Sequence, residues 1–421
     1  MASHGNDLPD ILLTFLASDR DLLFVANIAA ADSPAVRWTY QGLGVIPVSR
    51  VRDARALKAR GEDAGAVNAN AFVRVVDALK QGHVVAIFPE GVVSDHPRLG
   101  ALRTGAAKMA LQAVDEGVPL TMVPIGFQYE CAHEPRSGAL CVVGSAIAVE
   151  RWKPENLAKR TTEFTSFICE ALREVTRNAR TQRDAEVLAS IAAAAGAALS
   201  SHNENPMVAA HQVQRTLSRV SAADEIFVAD SAAPAAINQR VAIEQFQSDA
   251  LALSNATAKF GARRWSARDI AEVLSTAGDD PVAHRKMDVL SLLVLAPVAA
   301  IGWLWHAIPW WASHALAKRL APRPVEVAAL TLVPGLYVMV LWYVSVPLLL
   351  LAFGISPLLV LSLFVFQPRL GDQAIGWRDR WRTRRMCKRV RSAAMAERVN
   401  IRSLAAAVVD SWRLLTAGSL A

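Results

Sequence analysis

Charge is scarce in this chain, and the signatures of the common cofactor folds are missing. Asp, Glu, Lys and Arg make up 20% of its 421 residues, against 53% hydrophobic residues, and the mean hydropathy is positive. That balance excludes a disordered or collagen-like polymer and argues against an ordinary, fully soluble protein. Cysteine is rare: positions 131, 141, 169 and 387 form no CxxC pair and no Cys/His cluster at zinc spacing. Cys131 and Cys141 would be in reach of one another if their neighbourhoods paired as a hairpin; reduced thiols in a cytosol-facing protein are the simpler expectation. Gly42-Leu43-Gly44 lacks the third glycine of a dinucleotide fingerprint, since Pro47 takes its place. No GxxxxGK[ST] loop and no GxSxG elbow occur, so a nucleotide P-loop and a serine-hydrolase nucleophile are out. The opening MASHGNDLPD carries neither a basic region nor a long apolar run, and no signal peptide is expected.

What charge there is sits unevenly. The formal net charge is +7, and residues 369–402 alone hold eleven Lys/Arg against three Asp/Glu. This cluster follows an apolar stretch rather than lining an aromatic-bearing sheet, so it reads as an anionic-lipid contact and not as a nucleic-acid site. Val289 to Ala317 is 29 residues without Lys, Arg, Asp or Glu, and Val327 to Pro368 is 42. A bilayer core needs about 20 apolar helical residues. Seven of the eleven tryptophans lie between Trp303 and Trp381, several at segment ends, where their rings suit the headgroup level. Positive residues flank each stretch: Arg285 and Lys286, then Lys318, Arg319 and Arg323, then RWRTRRMCKRVR. If all three flanks are cytoplasmic, each stretch returns to the side it entered. Pro297, Gly302 and Pro309 in the first, and Gly354 with Pro357 in the second, supply break points, so two hairpins are expected.

The length suits two or three domains. Residues 1 to about 150 alternate short apolar runs, LLFVA (22–26), GVIPVS (44–49), VVAIF (84–88), LTMVPIGF (120–127) and ALCVV (139–143), with helical patterns near 34–42, 68–80 and 103–115. Continuous apolar strands alternating with helices predict an α/β fold, a mostly parallel sheet flanked by helices. Residues 151–285 read as helical and alanine-rich, broken at SSHNENP (200–206) and VADSAAPAA (228–236). Residues 286–368 hold the apolar hairpins and 369–421 a basic amphipathic tail. No internal repeat is present.

Three pieces of the α/β region carry candidate chemistry. In His4-Gly5-Asn6-Asp7-Leu8-Pro9-Asp10 the outer pair lies six residues apart, about 240° around a regular helix, so the two cannot share a helical face. With His4 in a loop and Asp10 in the first helical turn, where Pro9 is well placed, the carboxylate folds back onto the imidazole. Such a pair is a general base: the carboxylate sets tautomer and orientation, and the other nitrogen takes a proton from a hydroxyl. Gly44 to Arg50 is a strand ending in an arginine, placed to fork onto a phosphate at the sheet's carboxyl edge, though equally a solvated arginine when taken alone. Phe88-Pro89-Glu90-Gly91 closes VVAIF with a carboxylate locked between proline and glycine, an expensive position unless it binds something. Arg103 and Lys108 follow on the next helix.

The order of these blocks resembles the glycerophospholipid acyltransferase superfamily, the lysophosphatidic acid and glycerol-3-phosphate acyltransferases. HGNDLPD is similar to the histidine–aspartate block, GVIPVSR to the arginine block, FPEGVVS to the FPEG block, and Val123-Pro124-Ile125-Gly126 to the VPI block. LRTGAAKMAL at 102–111 is similar to the glycerol-3-phosphate/dihydroxyacetone-phosphate branch. The resemblance implies an acyltransferase domain over residues 1–150. It further implies a membrane-bound enzyme, facing the cytoplasm, that moves an acyl group from acyl-CoA or acyl carrier protein to a hydroxyl of glycerol 3-phosphate or its 1-acyl form, in phospholipid synthesis. His4 would be the base and Asp10 its orienting partner. Arg50 would bind the acceptor phosphate, Glu90 and Gly91 would shape the acceptor site, and Val123–Gly126 would serve the donor and packing side. Arg103, added on physical grounds, would be a second phosphate contact. No metal and no cofactor beyond the donor thioester is implied. Ser3 stands where the family usually has Asn, and Val93 where many members carry arginine. A strand normally precedes the histidine, which implies a start upstream or a compromised site. Acylation of another lyso-lipid hydroxyl, and a catalytically silent membrane scaffold with this fold, are the alternatives.

Overall fold

The computed structural model describes residues 8–27, 44–49, 57–58, 61, 63–91, 97–130, 138–176, 178–200, 204–227, 234–278, 289–320 and 326–417. The chain divides into two units, residues 1–129 with 139–182, and residues 130–138 with 183–421.

In the first unit, β1 (Leu22–Asn27), β2 (Ile46–Val48) and β3 (Val84–Ile87) form a parallel sheet in the order β2-β1-β3. Strand side chains alternate between faces, and both faces of this sheet are covered. Leu22, Phe24 and Ala86 pack with Ile11 and Phe15 of α1 (Leu8–Leu16). Val25 and Ile46 pack with Ala71 and Val75 of α2 (Ala64–Lys80) and Met109 of α3 (Gly105–Asp115). Burial on two sides is why LLFVA and VVAIF read as uninterrupted apolar runs. The flanked parallel sheet is therefore present, but small.

Beyond these three strands the pairing is antiparallel, which corrects the expectation of a mostly parallel sheet. LTMVPIGF is two strands, β4 (Thr121–Met122) and β5 (Ile125–Tyr129), and not one. Pro124 has no N–H to give a ladder, so the run changes partner there. β5 pairs with β6 (Ala139–Val143) and β4 with β7 (Ile147–Ala148). Parallel pairing needs a crossover of about a dozen residues or more, and the link from β5 to β6 is shorter; β7 follows β6 after a short turn and so returns antiparallel beside β4. α4 (Arg160–Arg173) closes the unit, setting Phe164, Ile168 and Leu172 against Ala107, Ala110 and Leu111 of α3. The helix expected near 34–42 lies outside the described residues.

The second unit is helical: α5 (Gln182–Leu199), α6 (Pro206–Phe227), α7 (Pro234–Ala258), α8 (Ala267–Ala277), α9 (Val289–Leu320), α10 (Glu326–Ala352), α11 (Pro357–Ser392) and α12 (Met395–Ala417). One core joins Ile191, Phe246, Leu253, Ile270, Val390, Ile401 and Val408. Asp269 ties α8 to α11, accepting from Arg263 Nε at 2.9 Å and Arg382 at 2.6 Å. Part of the basic cluster is thereby used inside the protein. Cys141, Cys169 and Cys387 are free thiols, and Cys131 lies outside the described residues. Burial pushes the Cys387 thiol up, so it stays protonated and unreactive.

The first apolar stretch is not a hairpin. α9 runs through as one helix of 32 residues, about 48 Å, with Pro297 and Pro309 inside it. An internal proline removes one hydrogen bond and costs about 3 kcal/mol, whereas a turn among apolar side chains strands several backbone groups. The second stretch does turn, at Phe353–Ser356 between α10 and α11. Leu292–Arg319 and Gly335–Ala352 are each long and apolar enough to cross a bilayer. The three helices meet at a polar junction. Trp305 Nε1 donates to Gln367 Oε1 (3.2 Å), and Gln367 Nε2 donates to the Tyr343 carbonyl (3.3 Å). His306 Nδ1 lies 2.7 Å from the Gly302 carbonyl, so it carries the proton, and Nε2 accepts from the Tyr343 hydroxyl at 2.7 Å.

β5 approaches its neighbours closely at one residue. A Cβ on Gly126 would fall on the backbone carbonyl of Val175, which follows α4 and cannot step aside. Gly126→Ala is expected to destabilise the first unit by about 1–3 kcal/mol, read as a lower Tm and earlier proteolysis of residues 1–182 at unchanged stability of the second unit.

Candidate functional site

α1 buries polar side chains as well as apolar ones. Its sequence, LPDILLTFL, is almost wholly apolar, yet its polar members face inward: Asp10 is 0% exposed and Thr14 4%, while Leu12 and Leu16 are exposed. Asp10 stands in the first turn, just after Pro9, where the helix dipole favours an anion. Thr14 Oγ1 donates to its carbonyl at 2.7 Å. The Tyr129 hydroxyl, at the end of β5, donates to Asp10 Oδ1 at 2.6 Å, the short distance of a hydrogen bond to a charged acceptor. Burial, and then the charge of Asp10, push the Tyr129 phenol far above its ordinary value, so Tyr129 is a permanent donor.

The second component is the turn after β3. Gly91 N–H donates to the Phe88 carbonyl at 3.1 Å, which closes a β-turn over Pro89 and Glu90. Gly91 leaves that turn at φ +66°, a left-handed conformation that favours glycine. Glu90 is 4% exposed, and its Oε2 accepts from the Gly100 N–H at 2.8 Å. The Arg103 N–H donates to the Pro89 carbonyl at 2.8 Å. Residues 100–103 are in this way laid against the turn, with the stem of Arg103 beside Gly91 and its side chain exposed. Phe88 and Ile11, the neighbours of these two components, pack in one apolar cluster.

The third component is the end of β2. Asn68 of α2 holds the Ser49 backbone from both sides: its Oδ1 accepts from the Ser49 N–H at 2.7 Å and its Nδ2 donates to the Ser49 carbonyl at 3.1 Å. Ser49 leaves the same carboxyl edge of the parallel sheet as the Phe88–Gly91 turn, the edge where such sheets take ligands.

Of the residues singled out from the sequence, Glu90, Gly91 and Arg103 are brought together at one turn, and Asp10 is buried at the head of α1. His4 and Arg50 lie outside the described residues. Two residues escaped sequence reasoning, Tyr129 and Asn68. Neither belongs to a recognisable block, and both act on partners that only folding brings near. Among the described residues no His/Cys/Asp/Glu group could hold a metal ion.

Residues 1–128 match the family model described as Acyltransferase. A chloroplastic 1-acyl-sn-glycerol-3-phosphate acyltransferase of Arabidopsis thaliana is 27% identical over 115 residues, 27% of this chain and 29% of its own. Glycerol-3-phosphate O-acyltransferase 2 of Saccharomyces cerevisiae is 38% identical over 85 residues, 20% of this chain and 11% of its own. Glycerol-3-phosphate O-acyltransferase 1 of the same yeast is 32% identical over 113 residues, 25% of this chain and 15% of its own. The chain thus spans less than a third of the length of these relatives. No solved structure matches it.

Removing the Glu90 carboxylate leaves the Gly100 N–H without its acceptor, a loss of about 1–3 kcal/mol. Glu90→Ala should therefore raise hydrogen exchange at the Gly100 and Arg103 amides selectively, with α4 protection unchanged.

Proposed function

Because its N-terminal segment belongs to the glycerophospholipid acyltransferase superfamily, we propose that this chain is an acyltransferase. It moves a fatty acyl group from acyl-CoA or acyl carrier protein to a hydroxyl of glycerol 3-phosphate or of 1-acylglycerol 3-phosphate. The observation that carries this reading is the buried Asp10 carboxylate in the first turn of α1, six residues after His4.

His4, oriented by Asp10, takes the proton from the acceptor hydroxyl as its oxygen bonds to the thioester carbonyl carbon. The tetrahedral oxyanion collapses, the C–S bond breaks, and the departing thiolate recovers the proton from the imidazolium. Ester and free thiol are the products, with no acyl-enzyme. Arg50, two residues beyond β2 in the sequence, binds the acceptor phosphate, and Arg103 adds a second cation beside the Glu90–Gly91 turn. The sum of these charges suits an acidic acceptor, and the similar proteins include acyltransferases named for each of the two acceptors.

The apolar helices α9 and α10 and the start of α11 anchor the enzyme where its lipid product belongs. An acyl chain lifted into water costs roughly 0.8 kcal/mol per exposed CH₂, so working at the interface avoids that cost. Arg378, Arg385, Lys388 and Arg389 fall within an arc of about 100° on α11, beside the stacked rings of Trp377 and Trp381. Arg378, Arg385, Lys388 and Arg389 are exposed and continue the apolar half of the helix. This face contacts anionic headgroups on the cytoplasmic side.

Membranes carrying the full chain, given labelled acyl-CoA and each acceptor side by side, decide the reading. General-base assistance is worth about 10²–10⁴-fold, so His4→Ala should lose that much, and equal incorporation by wild type and mutant discards the assignment. Replacing Arg378, Arg385, Lys388 and Arg389 together by Gln should abolish the rate gain of phosphatidylglycerol-rich over pure phosphatidylcholine vesicles, with activity in the neutral vesicles unchanged.

A further inference from the structure

We propose that Tyr129 is a positioning residue of the acyl-transfer site, holding the Asp10 carboxylate in the one orientation from which it can direct the general base. The proposal rests on the reading of His4 and Asp10 given above and adds a residue that none of the sequence blocks contains.

A carboxylate with no solvent exposure needs donors fixed by the fold, because leaving a charge unpaired in the interior costs several kcal/mol. Rotation about the last side-chain bond of an aspartate is soft and roughly two-fold, so one fixed donor on Oδ1 is what locks the plane of the group. The Tyr129 hydroxyl supplies that donor at 2.6 Å, from a strand 119 residues away in sequence. With the plane locked, the second oxygen keeps a constant direction relative to α1.

The tyrosine is itself well held. Gly126 seats β5 directly on the Val175 backbone, Gln128 is 3% exposed, and the register pairs Tyr129 with Ala139 across the β5–β6 ladder. Phe127 pairs with Cys141 in the same ladder, two residues away. The hydroxyl cannot be lost by ionisation near neutral pH, since burial and the adjacent Asp10 charge keep the phenol protonated. On this view the VPI-type block, together with the strand it starts, has a mechanical role: it delivers a hydroxyl to the carboxylate that supports the base.

A double-mutant cycle on the full chain in membranes tests this, comparing wild type, Tyr129→Phe, Asp10→Asn and the double variant for kcat, KM and Tm. Phenylalanine keeps the ring and removes only the donor. The expected result is a fall in kcat of about tenfold for Tyr129→Phe with KM nearly unchanged, the signature of support given in the transition state, alongside a lower Tm because the buried carboxylate has lost a donor. Asp10→Asn and the double variant should then be equally slow, because Tyr129 acts only through Asp10. A Tyr129→Phe enzyme as fast as wild type, beside a slow Asp10→Asn, overturns the proposal and leaves the assignment of the base standing. So does a Tyr129→Phe loss that repeats in full on the Asp10→Asn background, or one that appears as a raised KM at unchanged kcat. A fully active Asp10→Asn overturns the assignment of the base itself, and the proposal with it.

Discussion

Asp10 has no contact with water, and a charge in that position constrains everything around it. Hydration must be replaced by groups whose places the fold sets in advance. The dipole at the head of α1 favours the anion, and Tyr129 supplies a donor, through a hydroxyl brought from the end of β5. The burial of polar side chains on α1 follows from the same demand. A helix that must point Asp10 and Thr14 inward leaves Leu12 and Leu16 outward, against the ordinary preference of apolar side chains. Delivering Tyr129 in turn requires β5 to lie close against the segment after α4, which is possible because position 126 has no side chain.

A similar economy governs the carboxyl edge of the parallel sheet. Loops leaving that edge carry the candidate chemistry, and loops are soft unless their backbone groups are tied. Here they are tied by hydrogen bonds. Glu90 reaches across to Gly100, Pro89 receives the Arg103 N–H, and Asn68 grips both sides of the Ser49 peptide. A carboxylate read as a substrate contact thus also has a structural duty, and the two uses are compatible because a carboxylate has two oxygens. The same sheet is covered by α1 on one face and by α2 and α3 on the other.

The second unit solves a different problem, the arrangement of long apolar helices that have no polar faces to orient them. Their mutual register is set at the few places where something other than methylene meets methylene. Gly302 admits the Leu370 backbone, and Trp305, His306, Tyr343 and Gln367 form one chain of hydrogen bonds linking three helices. α11 passes from this apolar setting into the basic run without a break, so the charged face and the apolar segment are parts of a single rigid element.

Local sequence determined which segments became strands and helices wherever the apolar pattern was strong. LLFVA and VVAIF are strands because two-sided burial leaves no room for polar positions, and 105–115 is a helix because its alanines and methionine repeat at helical spacing. The block order from HGNDLPD to VPIG carried the family, since each block needs only its own few residues. Long-range choices were beyond it. The interruption at Pro124 is visible in the sequence, but which strands β4 and β5 then pair with depends on where the return chain runs. Pro297 and Pro309 look like breaks, yet α9 continues through them, because packing against α10 and α11 outweighs a lost hydrogen bond. Tyr129 and Asn68 had no signal at all, for a hydroxyl or an amide acquires a role only from the partner that tertiary structure sets beside it. Composition and spacing decide what each segment is; only the folded chain decides what stands next to what.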